Sequence, residues 1–259
     1  MKDIAILMAC WKSPELLRVV IPSLLKSTKT NSEIIVILNE VDDESRDYLD
    51  LMEIKHIDKM LNYGPAAIDY AIPYVKEVGF KYVANINSDM IFSDGWDVEL
   101  IDLYERNKPC TVSCCLVEPV HNEHSIYEYL DFFGEFTHEI FNENLRNGKY
   151  KTEISVSYNH PIMCSTEDFI AVNGYSDNME QVWIDLKGRG LDDDFVYRLY
   201  KKYNGNIKYL KSDKSFVYHG VSMNSNKLAV RTLGHEAFIN KNGITINDFR
   251  RLIGYPRIL

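Results

Sequence analysis

Through its first 117 residues the chain alternates short, almost continuously apolar runs with amphipathic ones. Ile4 to Ala9 is apolar and short, and Ser13-Pro14-Glu15 then opens a helical pattern, with Ser13 placed as N-cap and Pro14 at N1. Glu33 to Leu38 is apolar after its first residue and rich in β-branched side chains, the signature of a parallel strand covered on both faces. Asp42 to Ile54 reads as a helix, and Pro65 to Val78 as another that Pro73 kinks or interrupts. Phe80 to Ile86 is the next strand, Gly95 to Asn107 the next helix, and Cys110 to Val117 the strand after it. Repeated strand–helix alternation implies right-handed crossovers and a mostly parallel central sheet flanked by helices.

The later pattern is less regular. The segment from Asn122 to Asn147 is crowded with aromatics and acids and is expected to form a helix or helical pair. Ile154 to Ser157 and Pro161 to Cys164 read as strands, Asp192 to Tyr203 as a helix, and Lys208 to Leu210 and Ser215 to Tyr218 as two short strands. Helical pieces follow from Leu233. With no linker, repeat or low-complexity tract, the expectation is one Rossmann-like α/β domain over 1–259. Within it, 1–117 forms one half, 118–222 a smaller second subregion, and 223–259 a C-terminal helical extension.

Composition narrows the class. The 259 residues are 46% hydrophobic and 26% charged, ordinary values for a globular enzyme. A net charge of -9 disfavours nucleic acid or an anionic membrane as partner, although Lys201-Lys202 and Arg250-Arg251 are local basic pairs that read as solvated helix faces. No run approaches the ~20 apolar residues of a membrane span, and the start of the chain lacks the pattern of a secretory signal, so a cytoplasmic location is expected. Cys10, Cys110, Cys114, Cys115 and Cys164 have no framework or zinc-site spacing and are expected to be reduced core thiols.

In parallel sheets ligands bind beyond the carboxyl ends of the strands, so residues just after each apolar run are the first candidates. Three such places carry chemistry. Asn87-Ser88-Asp89 closes the Phe80 to Ile86 strand; it is either a polar turn or a rigid carboxylate for a hard cation such as Mg²⁺ or Mn²⁺. Gly190-Leu191-Asp192-Asp193-Asp194 starts a helix, where the macrodipole alone would favour acids, yet capping needs only one of the three. A carboxylate fixed there could take a proton from an attacking hydroxyl. His219 follows Phe216-Val217-Tyr218 and is either a ligand or a hydrogen-bonded strand end.

The order of these elements resembles the GT-A fold glycosyltransferases, particularly family 2 and the galactosyltransferase-like members. The resemblance runs from Ile4 to about Ser222 at the level of short motifs. It implies a nucleotide-sugar donor, UDP-linked by preference, held by Ala9, by Asn39 and Asp42 after the second strand, by Asn62 and Gly64, and by Asn87, Ser88 and Asp89. Thr166 to Tyr175 resembles the family's run before the acceptor site. The resemblance further implies Asp192 as catalytic base, Asp193 as acceptor contact, and Asp89 with His219 as ligands of Mn²⁺ or Mg²⁺. Trp183 and Arg189, before the acidic helix start, are expected on the acceptor side. A glycan, lipid-linked or other hydroxyl compound is the expected acceptor, and the displacement is expected to invert the anomeric centre.

Two departures stand out. Asn87 replaces the first aspartate of the family's Asp-x-Asp motif, and Leu191 stands where the galactosyltransferase-like enzymes carry glutamate. Asn87 keeps open a second reading, an inactive GT-A-like domain that binds carbohydrate or nucleotide. An NAD-binding enzyme would show Gly-x-Gly-x-x-Gly after the first strand, and a sugar-phosphate nucleotidyltransferase a glycine-rich basic loop. Cys10 to Pro14 contains no glycine.

Overall fold

The computed structural model describes residues 2–120, 125–177, 190–220 and 238–255. Its centre is a ten-stranded mixed sheet. In chain order the strands are β1 Ile4–Trp11, β2 Glu33–Asn39, β3 Lys55–Asp58, β4 Tyr82–Ile86, β5 Met90–Phe92, β6 Cys110–Glu118, β7 Ser125–Tyr127, β8 Ser155–Val156, β9 Ile162–Ser165 and β10 Lys208–His219. They lie in the order β3-β2-β1-β4-β9-β6-β10-β5, with β7 beside β6 and β8 beside β10. β1, β2, β3 and β4 pair in parallel, as do β6 and β10; β9 runs antiparallel between β4 and β6.

Both faces of this sheet are covered, which explains why its central strands lack polar alternation. In β1, Ile4, Ile6 and Met8 join one core with α1 (Pro14–Ser27) and α4 (Trp96–Asn107). Ala5 and Leu7 point the other way, into a core shared with the 3₁₀ segment Gly64–Ala71, α3 (Ile72–Val78), α6 (Thr166–Ala171), α7 (Leu191–Lys202) and α8 (Ile246–Leu252). β2 repeats the division, Ile34, Val36 and Leu38 on one side and Ile35 and Ile37 on the other. All five cysteines are free and buried, as their apolar context predicts. No helix among the described residues is long and apolar enough to cross a membrane.

Several elements depart from the pattern-based expectation. The helix after Asp42 is shorter, α2 (Asp43–Leu51), and Lys55–Asp58 forms the polar edge strand β3 instead of extending it. Pro73 kinks nothing: it sits in the first turn of α3, where its missing N–H costs no bond, and the residues before it are 3₁₀. Ser13 is at the N-cap of α1, but its hydroxyl donates to the Trp11 carbonyl and caps no helical N–H. The aromatic segment is only partly helical: β7 comes first, and α5 (Thr137–Arg146) occupies its end. Lys208 to His219 is one strand whose register shifts between Lys211 and Phe216, which is why its sequence reads as two.

One glycine fixes how the turn after α6 meets the 3₁₀ segment and the start of α3. Gly174 has φ +78°, and a Cβ there would lie 2.5 Å from Asp69 Oδ1 and 2.7 Å from Ile72 Cδ1. Asp69 in turn accepts from the Tyr175 and Ser176 amides at 2.6 and 2.8 Å. Gly174→Ala is therefore expected to destabilise the fold by about 2–5 kcal/mol, from left-handed strain plus overpacking. The expected readout is a lower denaturant midpoint at unchanged m value.

Candidate active site

The carboxyl ends of β1, β2 and β4, the turn after β4, and the start of α7 build the site. β1 ends in Trp11 and β2 in Asn39, paired in register. Beyond them the exposed Trp11 indole and the Lys12 ammonium both reach Glu40, at 2.9 and 2.6 Å. Asn39 is buried and ties the 62–64 loop to β2: its amide donates to the Gly64 carbonyl at 3.0 Å and its oxygen accepts from the Tyr63 N–H. Asn62 accepts from the Gly64 N–H at 2.8 Å. Asp42 caps α2 through Oδ1, while its Oδ2 is buried without a hydrogen-bond partner. Ala9 is part-buried near the end of β1. These five donor-side candidates thus gather at neighbouring strand ends.

Asn87-Ser88-Asp89 forms the turn from β4 to β5, and β5 pairs antiparallel with β10, so that Met90 lies opposite His219. The Gly220 amide closes the corner on the Asp89 carbonyl at 2.8 Å. This pairing brings His219 Nε2 to 3.3 Å from Asp89 Oδ1. On its other side His219 Nδ1 is 2.7 Å from Glu118 Oε1, at the end of β6. Burial works to lower the basicity of His219, but the carboxylates of Asp89 and Glu118 outweigh it and push its pKa up to about 10.

Among the described residues no three side chains converge as a ready-made metal cluster. The donor set of Asp89 and His219 nevertheless fits a divalent ion that takes its remaining ligands from a diphosphate. A carboxylate behind a ligating imidazole, as Glu118 stands behind His219, is the usual support for such a ligand. Because His219 favours its charged form, a cation at Nε2 displaces a proton, and affinity should rise with pH.

The three acids at the start of α7 do not act alike. Successive helical positions turn by about 100°, so each carboxylate finds a different environment. Asp194 is buried against Arg198 and Lys241, both at 2.9 Å. Asp193 is buried too, gripped by Arg250 through Nε at 2.9 Å and Nη2 at 3.2 Å, with the Tyr158 hydroxyl also donating to it. Asp192 alone keeps a substantial part of its side chain open, 42% of its surface. Its Oδ1 accepts from Tyr175 and lies 3.1 Å from His160 Nε2, while His160 Nδ1 donates to the Asn85 carbonyl at 3.1 Å. Burial works to raise the Asp192 pKa, but the His160 charge and hydrogen bond hold the carboxyl below the ordinary range; His160 is raised in return.

These contacts identify residues that motif reasoning passed over. Glu118 follows an apolar run directly, and the strand-end rule that selected Asp89 applies equally to it. His160 and Tyr175 offer no spacing signal, because only the fold brings them to Asp192. Arg250 and Lys202, read as solvated, hold Asp193 and Asp168 in place, whereas Arg251 is exposed and merely pairs with Asp248. Trp183 and Arg189 lie outside the described residues.

The His160–Asp192 contact has a pH consequence. A base must be ionised, so activity falls as pH drops through the Asp192 pKa, which His160 lowers. In His160→Gln the charge and hydrogen bond that chiefly oppose burial are lost, with only the more distant Arg250 charge left against it, and the acid limb of kcat/KM should move to higher pH. A full pH–rate profile checks this; an unmoved limb would show that Asp192 does not set it.

The sequence matches glycosyl transferase family 2 over residues 5–172, about two thirds of the chain. No curated protein matches it by sequence. Among solved structures, TarS from S. aureus superposes with a TM-score of 0.59 at 12% identity, covering 85% of this chain and 37% of TarS. GalNAc-T7, solved with UDP, GalNAc and Mn²⁺, gives 0.60 at 13% identity, covering 98% of this chain and 54% of that one. TarS 1-349 in complex with UDP gives 0.58 at 14% identity, covering 93% and 74%. The chain therefore spans about a third to a half of the length of the first two. These likenesses establish the GT-A fold, and the match over 5–172 shows that the chain belongs to glycosyl transferase family 2.

Proposed function

We propose that this protein transfers a sugar from a UDP-sugar to an acceptor hydroxyl with inversion, assisted by a divalent ion, with Asp192 as general base. The observation that carries the reading is the pair of carboxylates in unlike settings. Asp89 is buried beside His219, suited to a cation, while Asp192 is open and held ionised by His160. Family membership supports glycosyl transfer. The presence of UDP in TarS 1-349 and GalNAc-T7, and of Mn²⁺ in the latter, supports the choice of donor and ion.

In this reading residues 1–117 hold the donor. Asn39, Asn62 and Gly64 shape the wall for the nucleoside, with Ala9 at the strand end and Asp42 supplying an unused carboxylate oxygen. Asn87 and Ser88 line the turn toward the diphosphate. A divalent ion on Asp89 and His219 would neutralise charge developing on the departing diphosphate. The acceptor side is assigned to 118–222, with Trp183 and Arg189 on it. Asp192 Oδ takes the acceptor's hydroxyl proton as its oxygen bonds to the anomeric carbon and the bond to the diphosphate breaks on the opposite face. Asp193, already committed to Arg250, fixes the first turn of α7 and so aims Asp192; its own acceptor contact would require leaving that pair.

The test is release of nucleoside diphosphate from a panel of UDP-sugars with Mn²⁺ or Mg²⁺. Turnover above background with one of them supports transfer. Binding of a nucleotide sugar with no turnover under any condition would favour the inactive, binding-only domain that Asn87 leaves open.

A further inference from the structure

The hydroxyl beside Asp192 belongs to a residue that the proton transfer alone does not explain. Tyr175 is 1% exposed, and its ring packs against those of Phe195 and His160, with centroids 5.6 and 6.1 Å away. A buried phenol needs a hydrogen-bond partner. This one donates to Asp192 Oδ1, and its oxygen lies 3.4 Å from His160 Nε2.

Both donors meet the same oxygen. Among the described residues His160 and Tyr175 each reach Oδ1 of Asp192, which leaves Oδ2 for an acceptor hydroxyl. A carboxylate held by one oxygen presents the other in a fixed direction, and such orientation is where much of a catalytic group's effect lies.

Tyr175 is itself held at both backbone groups. Its N–H donates to Asp69 Oδ1 at 2.6 Å, and its carbonyl accepts from Arg198 Nη2 at 2.6 Å. Asp69 also accepts from the Ser176 N–H at 2.8 Å and from the Ser176 hydroxyl. Arg198 Nη1 also donates to the Val172 carbonyl and, at 2.8 Å, to that of Gly174. Arg198 and Asp192 both lie on α7, so the tyrosine is tied by its carbonyl and its hydroxyl to one helix.

Asp69 ties it to the donor side. It sits in the 3₁₀ segment that begins at Gly64, the residue held by Asn39 and Asn62. One continuous segment and two hydrogen bonds thus run from the loop assigned to the donor to Asp192. The carboxylate is costly there: burial pushes its pKa up to about 6, with Asp177 adding to the rise, against the Ser176 hydrogen bonds and the Arg198 charge. A buried acid kept at that cost is explained if the placement of Tyr175 matters beyond the fold.

We propose that Tyr175 is a positioning residue for the base: its hydroxyl fixes Asp192 with Oδ2 toward the acceptor, and Asp69 and Arg198 set where that hydroxyl stands relative to the donor. This rests on the transfer reading with Asp192 as base.

The titration midpoint of the Asp192 carboxyl, followed by ¹³C NMR in the whole chain, tests the arrangement without turnover. Tyr175→Phe removes only a hydroxyl that donates to the charged form, so the midpoint should rise by about half a pH unit or more. Asp69→Asn should raise it too. Loss of the Asp69 charge would by itself lower it, so a rise reports displacement of the hydroxyl. Arg198→Lys keeps its charge but loses the fork on the carbonyls, and should act in the same direction. In Tyr175→Phe/Asp69→Asn the rise should not exceed that of Tyr175→Phe, because the group through which Asp69 acts is gone. A merely structural clamp would lower Tm and leave the midpoint in place. An unmoved midpoint in Tyr175→Phe, or in whichever of Asp69→Asn and Arg198→Lys folds, would overturn the proposal, as would shifts that add in full. Release of UDP from a UDP-sugar should fall about two- to tenfold in kcat in Tyr175→Phe, with UDP binding unchanged. No turnover by the wild-type protein would sink the transferase reading, while the carboxyl titration still decides whether Tyr175 holds Asp192.

Discussion

Asp192→Asn is expected to lower acceptor-dependent release of nucleoside diphosphate by about 10²–10⁴-fold, the usual contribution of a positioned general base. The substitution keeps size and most hydrogen-bonding capacity, so Tyr175 and His160 retain a partner and the fold should be undisturbed. Donor KM should stay within about twofold, since Asp192 handles a proton of the acceptor and touches no part of the donor in this mechanism. Loss in kcat without loss of donor binding marks an interaction made only in the transition state. Equal rates in wild type and variant would remove Asp192 from the role of base.

Asp89→Ala should abolish metal-dependent nucleotide binding, an expected loss of at least about 100-fold, greater than the 10–100-fold typical of altering a residue behind a ligand. Glu118→Gln supplies that milder comparison, because Glu118 stands behind His219, 2.7 Å from its Nδ1. Titrating Mn²⁺ into each protein in the presence of UDP ranks the three: wild type tightest, Glu118→Gln intermediate, Asp89→Ala weakest. Identical Mn²⁺ titrations for wild type and Asp89→Ala would place the cation elsewhere.

The parallel core was legible because β1, β2 and β4 are buried on both faces, and a short apolar run between turn residues permits few other solutions. What was not legible depends on distant pairing. β3 is a four-residue edge strand with only Ile57 apolar, whose hydrogen bonds come from β2 and not from its own periodicity. The antiparallel insertion of β9 between β4 and β6 cannot be read from Ile162 to Ser165, which looks like any buried strand.

The site divides the same way. Asp89, Asp192 and His219 follow apolar runs or open a helix, so position in the local pattern exposes them. Glu118, His160 and Arg250 matter only through partners 101, 32 and 57 residues away. A basic pair on a helix reads as solvated whether or not one member reaches into the core, which is why Arg250 and Arg251 look alike in sequence and differ in structure.

In the proposed reaction a divalent ion on Asp89 and His219 would hold the diphosphate of the donor. Thermal unfolding of the wild-type protein with UDP, with and without Mn²⁺, tests it most directly, since a ligand bound only by the folded state raises Tm. A clear rise is expected with UDP and Mn²⁺ together, and a small one or none with either alone. An equal rise with UDP in the presence of excess chelator, or no rise under any combination, would contradict it.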